Sequence, residues 1–161
     1  MIALDLETTG LQPGFHGMAS LGAVHMETGD EFYEQCQIHN SVQVSERALD
    51  VNGFTEEQLR SGEGNPISLV VKWFTDWAQA RLENSDNEKE ILVGWNLPSF
   101  DLQFLNEDMS SSRREHLFGH RYVDLHSMAY MLTKESLRSI DACSEFGVKP
   151  EPEPHDALEG A

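Results

Sequence analysis

Short apolar segments separated by turn residues fill the first part of the chain, and segments of helical period fill most of the rest. "IALDLE" predicts a strand, and Gly10, Pro13, Gly14 and Gly17 break the chain after it. "MASLGAVHM" and "EFYEQCQI" predict two more strands joined by a turn at "ETGD", so the three form an antiparallel meander. "SERALDVNGFTEEQLRSG" predicts short helical turns, with Thr55 ahead of Glu57 and Gln58 as a helix start. In "NPISLVVKWFTDWAQARLEN", Val70, Trp73, Phe74, Trp77 and Ala78 recur at helical spacing, with Pro66 near the start and Asn65 as the cap. The polar run "NSDNEKE" predicts a surface loop, and "ILVGW" a strand buried on both faces. "PSFDLQFLNEDM" predicts a helix entered through Pro98 and Ser99. "RYVDL" predicts a short strand, and "HSMAYMLT" and "SLRSIDACSEFG" predict helices, the last capped by Gly147 and stopped by Pro150.

This order predicts an α/β fold, in which a mixed sheet begins as a three-stranded antiparallel meander, continues as parallel strands and is flanked by helices. A length of 161 residues predicts a single domain, residues 1–161. No apolar run approaches the roughly 18 residues of a membrane span. The opening "MIALDLETTG" lacks the basic region of a secretory signal and runs directly into a strand. Two cysteines, Cys36 and Cys143, are too few for a disulfide framework, so a reducing, cytoplasmic location is the default expectation.

Charge changes the picture. Acidic residues number 28 against 11 basic ones, a net charge of −17. That balance opposes the Lys- and Arg-based contacts on which binding to phosphate backbones draws. An acidic surface also serves solubility, and bound cations reverse the sign of the field at a local site.

The candidate chemistry lies in acids at the ends of predicted elements. Asp5 and Glu7 are two positions apart on the first strand and therefore share a face. Two carboxylates so placed repel one another and lose solvation unless a cation lies between them. Hard oxygen donors of this kind favour Mg²⁺ or Mn²⁺. The following "TTG" consists of small residues that let another backbone or a phosphate come close. Asp101 falls near the start of the helix after "ILVGW", where an acid also complements the helix dipole. His155 follows Pro150, Pro152 and Pro154 in a polar tail, a setting that predicts exposure rather than a place in the core.

In this order, the segments resemble the DEDDh family of 3′–5′ exonucleases, which have an RNase H-like fold. "ALDLETTGL" is similar to the family's first motif, with Asp5 and Glu7 in its acidic positions. "VNGFTEEQL" resembles an intermediate segment, "GWNLPSFDLQFL" the second motif with Asp101, "YVDLHSMAYML" a family helix, and "HDAL" the third motif with His155. The resemblance covers nearly the whole chain. It implies hydrolysis of terminal phosphodiesters in single-stranded DNA or RNA with two Mg²⁺ or Mn²⁺ ions held by Asp5, Glu7 and Asp101. His155 is then the general base, and Thr8, Asn52 and Phe100 are the residues that touch the terminal nucleotide, Phe100 by stacking. The implied partner is a nucleic acid 3′ end or a nucleotide, with no membrane, and many short family members pair as homodimers.

Two features depart from the family pattern. The step from Asn96 to Asp101 is one residue longer than usual, which we read as a loop adjustment that leaves Asp101 in place. The third motif normally carries an Asp five residues after its His, a direct metal ligand. Here that position is Gly160. Glu159 is one residue early, about 100° around a helix axis, and Asp156 is earlier still. Three accounts stand together: a variant position in an active enzyme, a catalytically inactive nucleic-acid-end or nucleotide binding module, or a helix distortion that lets Glu159 reach the metal. The family's usual full helix after the third motif is also absent before Ala161, so the expected domain lacks its complete C-terminal helix.

Overall fold

A single strand, β1 (Ile2–Thr8), separates the two halves of the sheet. The computed structural model describes residues 1–109 and 111–161. β2 (Met18–His25) and β3 (Asp30–Gln37) complete the antiparallel meander. On the other side of β1, β5 (Leu92–Gly94) and β6 (Tyr122–Asp124) pair in parallel. A two-residue strand, β4 (Asn65–Pro66), adds to the free edge of β3, giving the order β4-β3-β2-β1-β5-β6. The fold is thus the mixed α/β sheet that the chain's pattern predicts.

Alternation along β1 decides what each face does. Ile2, Leu4 and Leu6 are buried, with Leu21 and Ala23 of β2 opposite Leu6 and Leu4. This side packs on α3 (Ile67–Leu82), which contributes Val70, Val71, Phe74 and Ala78. Phe74 is the hub, stacked on Phe118 at 5.8 Å between centroids and edge-on to Phe32 at 5.7 Å. Each fully buried side chain of this size contributes about 1.5–3 kcal/mol of transfer free energy.

The other face of β1 presents Asp5 and Glu7, and a short C-terminal helix, α8 (Ala157–Gly160), lies over it. Its close approach depends on Gly22, the cross-strand partner of Asp5. A Cβ built on Gly22 would fall 2.1 Å from the Ala157 carbonyl carbon and 2.4 Å from the Leu158 nitrogen. Only a residue without a side chain admits the helix backbone there.

Between β3 and α3 lie α1 (Glu46–Asn52) and α2 (Glu56–Ser61). The predicted helix start at Thr55 is a capping box: Gln58 donates its backbone N–H to Thr55 Oγ1 at 3.2 Å, and Thr55 donates its own to Gln58 Oε1 at 2.9 Å. After β5 come α4 (Asp101–Asp108) and α5 (Ser111–Leu117), and after β6 come α6 (Leu125–Thr133) and α7 (Ser139–Phe146), the last closed by left-handed Gly147. Two expectations need correction. Asn65 does not cap α3, because its backbone extends the sheet edge and its amide donates to Glu34 Oε2 at 3.0 Å. α5 carries no apolar stripe in "SSRREHL" and was not predicted.

No helix among the described residues is long and apolar enough to cross a membrane, and both cysteines are unpaired.

Phe74→Ala is expected to cost about 3–5 kcal/mol in urea unfolding. Gly22→Ala is expected to cost less, about 1–3 kcal/mol as an overpacked site, yet to displace α8. Greater protease sensitivity after residue 150 is the readout for that displacement.

Candidate active site

The site forms where four separate segments meet at the carboxyl end of β1. Asp5 and Glu7 come from the strand itself. Asp101 arrives from α4 as its first residue, and its Oδ1 accepts the Leu6 backbone N–H at 3.2 Å. The sheet explains that contact. Parallel pairing of β1 with β5 covers only Ile2↔Leu92 and Ala3↔Val93, so beyond it a side chain satisfies the strand's donor. The connection from β5 to α4 holds Asn96 in the left-handed region at φ 55°, a conformation Asn tolerates, and Ser99 donates its N–H back to the Asn96 carbonyl at 3.0 Å. Asp101 ends against β1, 2% exposed.

These carboxylates do not sit comfortably without a counter-charge. Burial, reinforced by the charges of Glu151 and Asp156, pushes Asp5 up to about 7. Burial and the charges of Asp5, Glu151, Asp156 and Asp101 push Glu7 up to about 8. Burial and the Asp5 charge push Asp101 up to about 8. Backbone N–H groups, Leu6 among them, lower Asp5 and Asp101 only in part; what raises all three is loss of solvation and like charge, the condition a cation relieves.

His155 sits at the rim, 38% exposed at its side chain, with Nδ1 3.2 Å from Glu151 Oε2. Its backbone is pinned to the body of the domain, donating its N–H to the Val51 carbonyl at 2.9 Å. Pro154 packs beneath Gly53, where an added Cβ would lie 2.8 Å away.

Asn52, at the end of α1, is buried; its amide donates to the Thr8 carbonyl at 3.0 Å and accepts the Phe54 N–H at 3.2 Å. It therefore ties α1 to the tip of β1. Thr8 donates its hydroxyl to the Gly10 carbonyl at 2.8 Å. Phe100 is half-buried beside Asp101, with its ring 5.2 Å from that of Phe104. The sequence-predicted residues thus gather at one end of β1, with Asn52 and Thr8 engaged in holding the backbone there.

Position 160 faces the same place. A Cβ on Gly160 would stand 2.5 Å from Asp5 Oδ2 and 3.3 Å from Glu151 Oε1. Glu159 is exposed, and Asp156 caps α8, accepting N–H groups from Leu158 at 2.9 Å and Glu159 at 3.3 Å. Two residues at this site were not singled out from sequence. Glu151 lies against His155, and burial raises its carboxyl above the ordinary range. Tyr33, cross-strand from Gly22, has its phenol pushed up by burial and by the charges of Asp156 and Glu7.

An acid raised on folding favours the folded state while protonated. That contribution is complete below the unfolded value and disappears as pH rises through the folded one. With ordinary carboxyl values of 3.8, 4.5 and 3.8 for Asp5, Glu7 and Asp101, stability in EDTA is expected to fall as pH rises from about 4 to about 8. Urea midpoints measured across this range are expected to fall less steeply for Asp5→Asn.

The exonuclease family (RNase_T) matches residues 2–161 of the chain. The 3′-5′ DNA exonuclease Cap18 of Escherichia coli is 30% identical over 165 residues, covering 99% of this chain and 84% of Cap18. A PolC-type DNA polymerase III of Thermotoga petrophila is 32% identical over 154 residues, covering 92% of this chain and 10% of the polymerase. Among solved structures, Escherichia coli exonuclease I in complex with a dT13 oligonucleotide has a TM-score of 0.72 at 17% identity, over 99% of this chain and 38% of that one. The nuclease domain of 3′hExo, a DEDDh family member bound to rAMP, has a TM-score of 0.69 at 18% identity, over 98% of this chain and 84% of that one. This chain therefore corresponds to a minor part of exonuclease I and of the polymerase, and to most of Cap18 and the 3′hExo domain. With the motifs in order, the sheet of RNase H-like type and the acids gathered at the tip of β1, the chain belongs to the DEDDh exonuclease family.

Proposed function

We propose that this chain removes nucleotides from the 3′ end of single-stranded DNA or RNA, using Mg²⁺ or Mn²⁺ held by Asp5, Glu7 and Asp101. The observation that carries this reading is the convergence of three carboxylates, each raised by burial and like charge, on one end of β1. The donor set fits hard divalent cations, because every group is an oxygen and together the groups carry the negative charge that a cation offsets. Such cations activate a water molecule and stabilise the leaving oxygen of a phosphodiester.

His155 would take the proton of that water. Its Nδ1 faces Glu151 at 3.2 Å, which sets the ring so that Nε2 is the nitrogen that accepts. Asn52 and Thr8 hold the backbone at the tip of β1, where the terminal nucleotide would lie against Phe100. Likeness to a DNA exonuclease favours DNA. A chain of net charge −17 offers few cations for a long backbone track. Binding is then confined to the last few nucleotides and depends on divalent ions more than on monovalent salt.

The test is digestion of matched 5′-labelled DNA and RNA oligonucleotides with Mn²⁺ or Mg²⁺. The expected result is a ladder shortening from the 3′ end. It should be abolished by EDTA, by Asp5→Asn and by Asp101→Asn, and slowed about 10²–10⁴-fold by His155→Ala. Gly160 favours a second reading, a nucleic-acid-end binding module. Retention of a 3′ end without any cleavage under these conditions would establish that reading instead.

A further inference from the structure

We propose that Glu151 supplies the carboxylate that the third motif lacks at Gly160, and so completes the cation pocket with Asp5 and Glu7. The inference rests on the metal-dependent reading above. It begins with the space that the missing side chain would fill. Position 160 points at Asp5, and the atom nearest to it from any other residue is Glu151 Oε1, 3.3 Å from where a Cβ would stand. A carboxylate is therefore already present beside the vacant position, delivered from the opposite end of the tail segment.

The tail explains how it arrives. Glu151 Oε1 accepts the Asp156 backbone N–H at 2.9 Å, which folds residues 151–156 back on themselves so that Glu151 lies under the start of α8. One oxygen of Glu7, one of Glu151 and one ring nitrogen of His155 lie within 4.8 Å of one another. That span is close enough for the Glu7 and Glu151 oxygens to share a divalent cation after small side-chain rotations, with His155 beside it as the proposed base. A carboxylate has about four lone-pair sites, so the bond from Asp156 and the contact with His155 leave capacity for a cation.

Alternatives within the segment are weaker. Glu159 is exposed, and Asp156 is engaged in capping α8. A side chain at position 160 would meet Asp5 Oδ2, 2.5 Å from the Cβ position.

The experiment is Mn²⁺ titration of the full chain by calorimetry, with the Mn²⁺-induced rise in melting temperature as a second readout. Variants are Glu151→Gln, Glu159→Gln and Asp5→Asn. Gln at 151 keeps the size and the acceptor for the Asp156 N–H, so the tail stays folded while the charge is lost. Glu151→Gln is expected to weaken Mn²⁺ binding at least tenfold and to lose most of the melting-temperature rise, whereas Glu159→Gln stays within twofold of the unmodified chain. Unchanged Mn²⁺ affinity in Glu151→Gln overturns the proposal, whatever happens to cleavage, and restricts Glu151 to orienting His155. Asp5→Asn separates this failure from the larger one. If it also leaves Mn²⁺ affinity unchanged, the metal-site reading itself falls. If it alone removes binding, the site stands and only the role of Glu151 is lost.

Discussion

Repulsion among carboxylates that have been taken out of water organises this protein's functional end. β1 sets hydrocarbon on one face and Asp5 and Glu7 on the other. The hydrophobic face is secured by α3 and its aromatic cluster around Phe74, so the strand cannot rotate to return its acids to solvent. Asp101 is held in the same place by its bond to the Leu6 N–H. The fold thereby maintains an arrangement that is unfavourable for the protein alone and favourable once positive charge is present. Stability and function draw on the same strand in opposite directions, one from each face.

Close backbone approach is the second constraint. Gly22 opposite Asp5 lets α8 settle directly onto the sheet, and that contact brings the third motif to the first. Asn52 and the Val51 carbonyl, both at the end of α1, hold the strand tip and the His155 backbone respectively. α1 thus fixes the relation between the carboxylate end of β1 and the proposed base. The charge of the chain fits this compact design. The proposed recognition of a strand terminus through divalent ions would need no extended basic groove.

Much of this was legible in the sequence. Alternation in "IALDLE" exposes the shared face of Asp5 and Glu7, and "GWNLPSFDLQFL" places an acid at a helix start. The capping pattern at Thr55 was also readable, because caps depend on residues three apart. What stayed hidden depends on tertiary placement. Glu151 is one of 28 acidic residues, set between prolines in a segment without period. Only the backward fold of the tail distinguishes it. Gly22 is a lone glycine inside an apolar strand, and its need for close approach appears only with α8 above it. Asn65 has the composition of a cap, yet pairing with Cys36 drew its backbone into the sheet. Polar α5 lacks an apolar stripe to mark it.

In the proposed metal site, the carboxylates at the tip of β1 hold their protons near neutral pH and surrender them to a divalent cation. Mn²⁺ titrations at pH 7 in buffers of different ionisation enthalpy measure that exchange directly, because metal binding to protonated ligands releases protons. Net proton release is expected on Mn²⁺ binding to the unmodified chain, and less release for Asp101→Asn. Binding without proton release, or no binding at this pH, would contradict it.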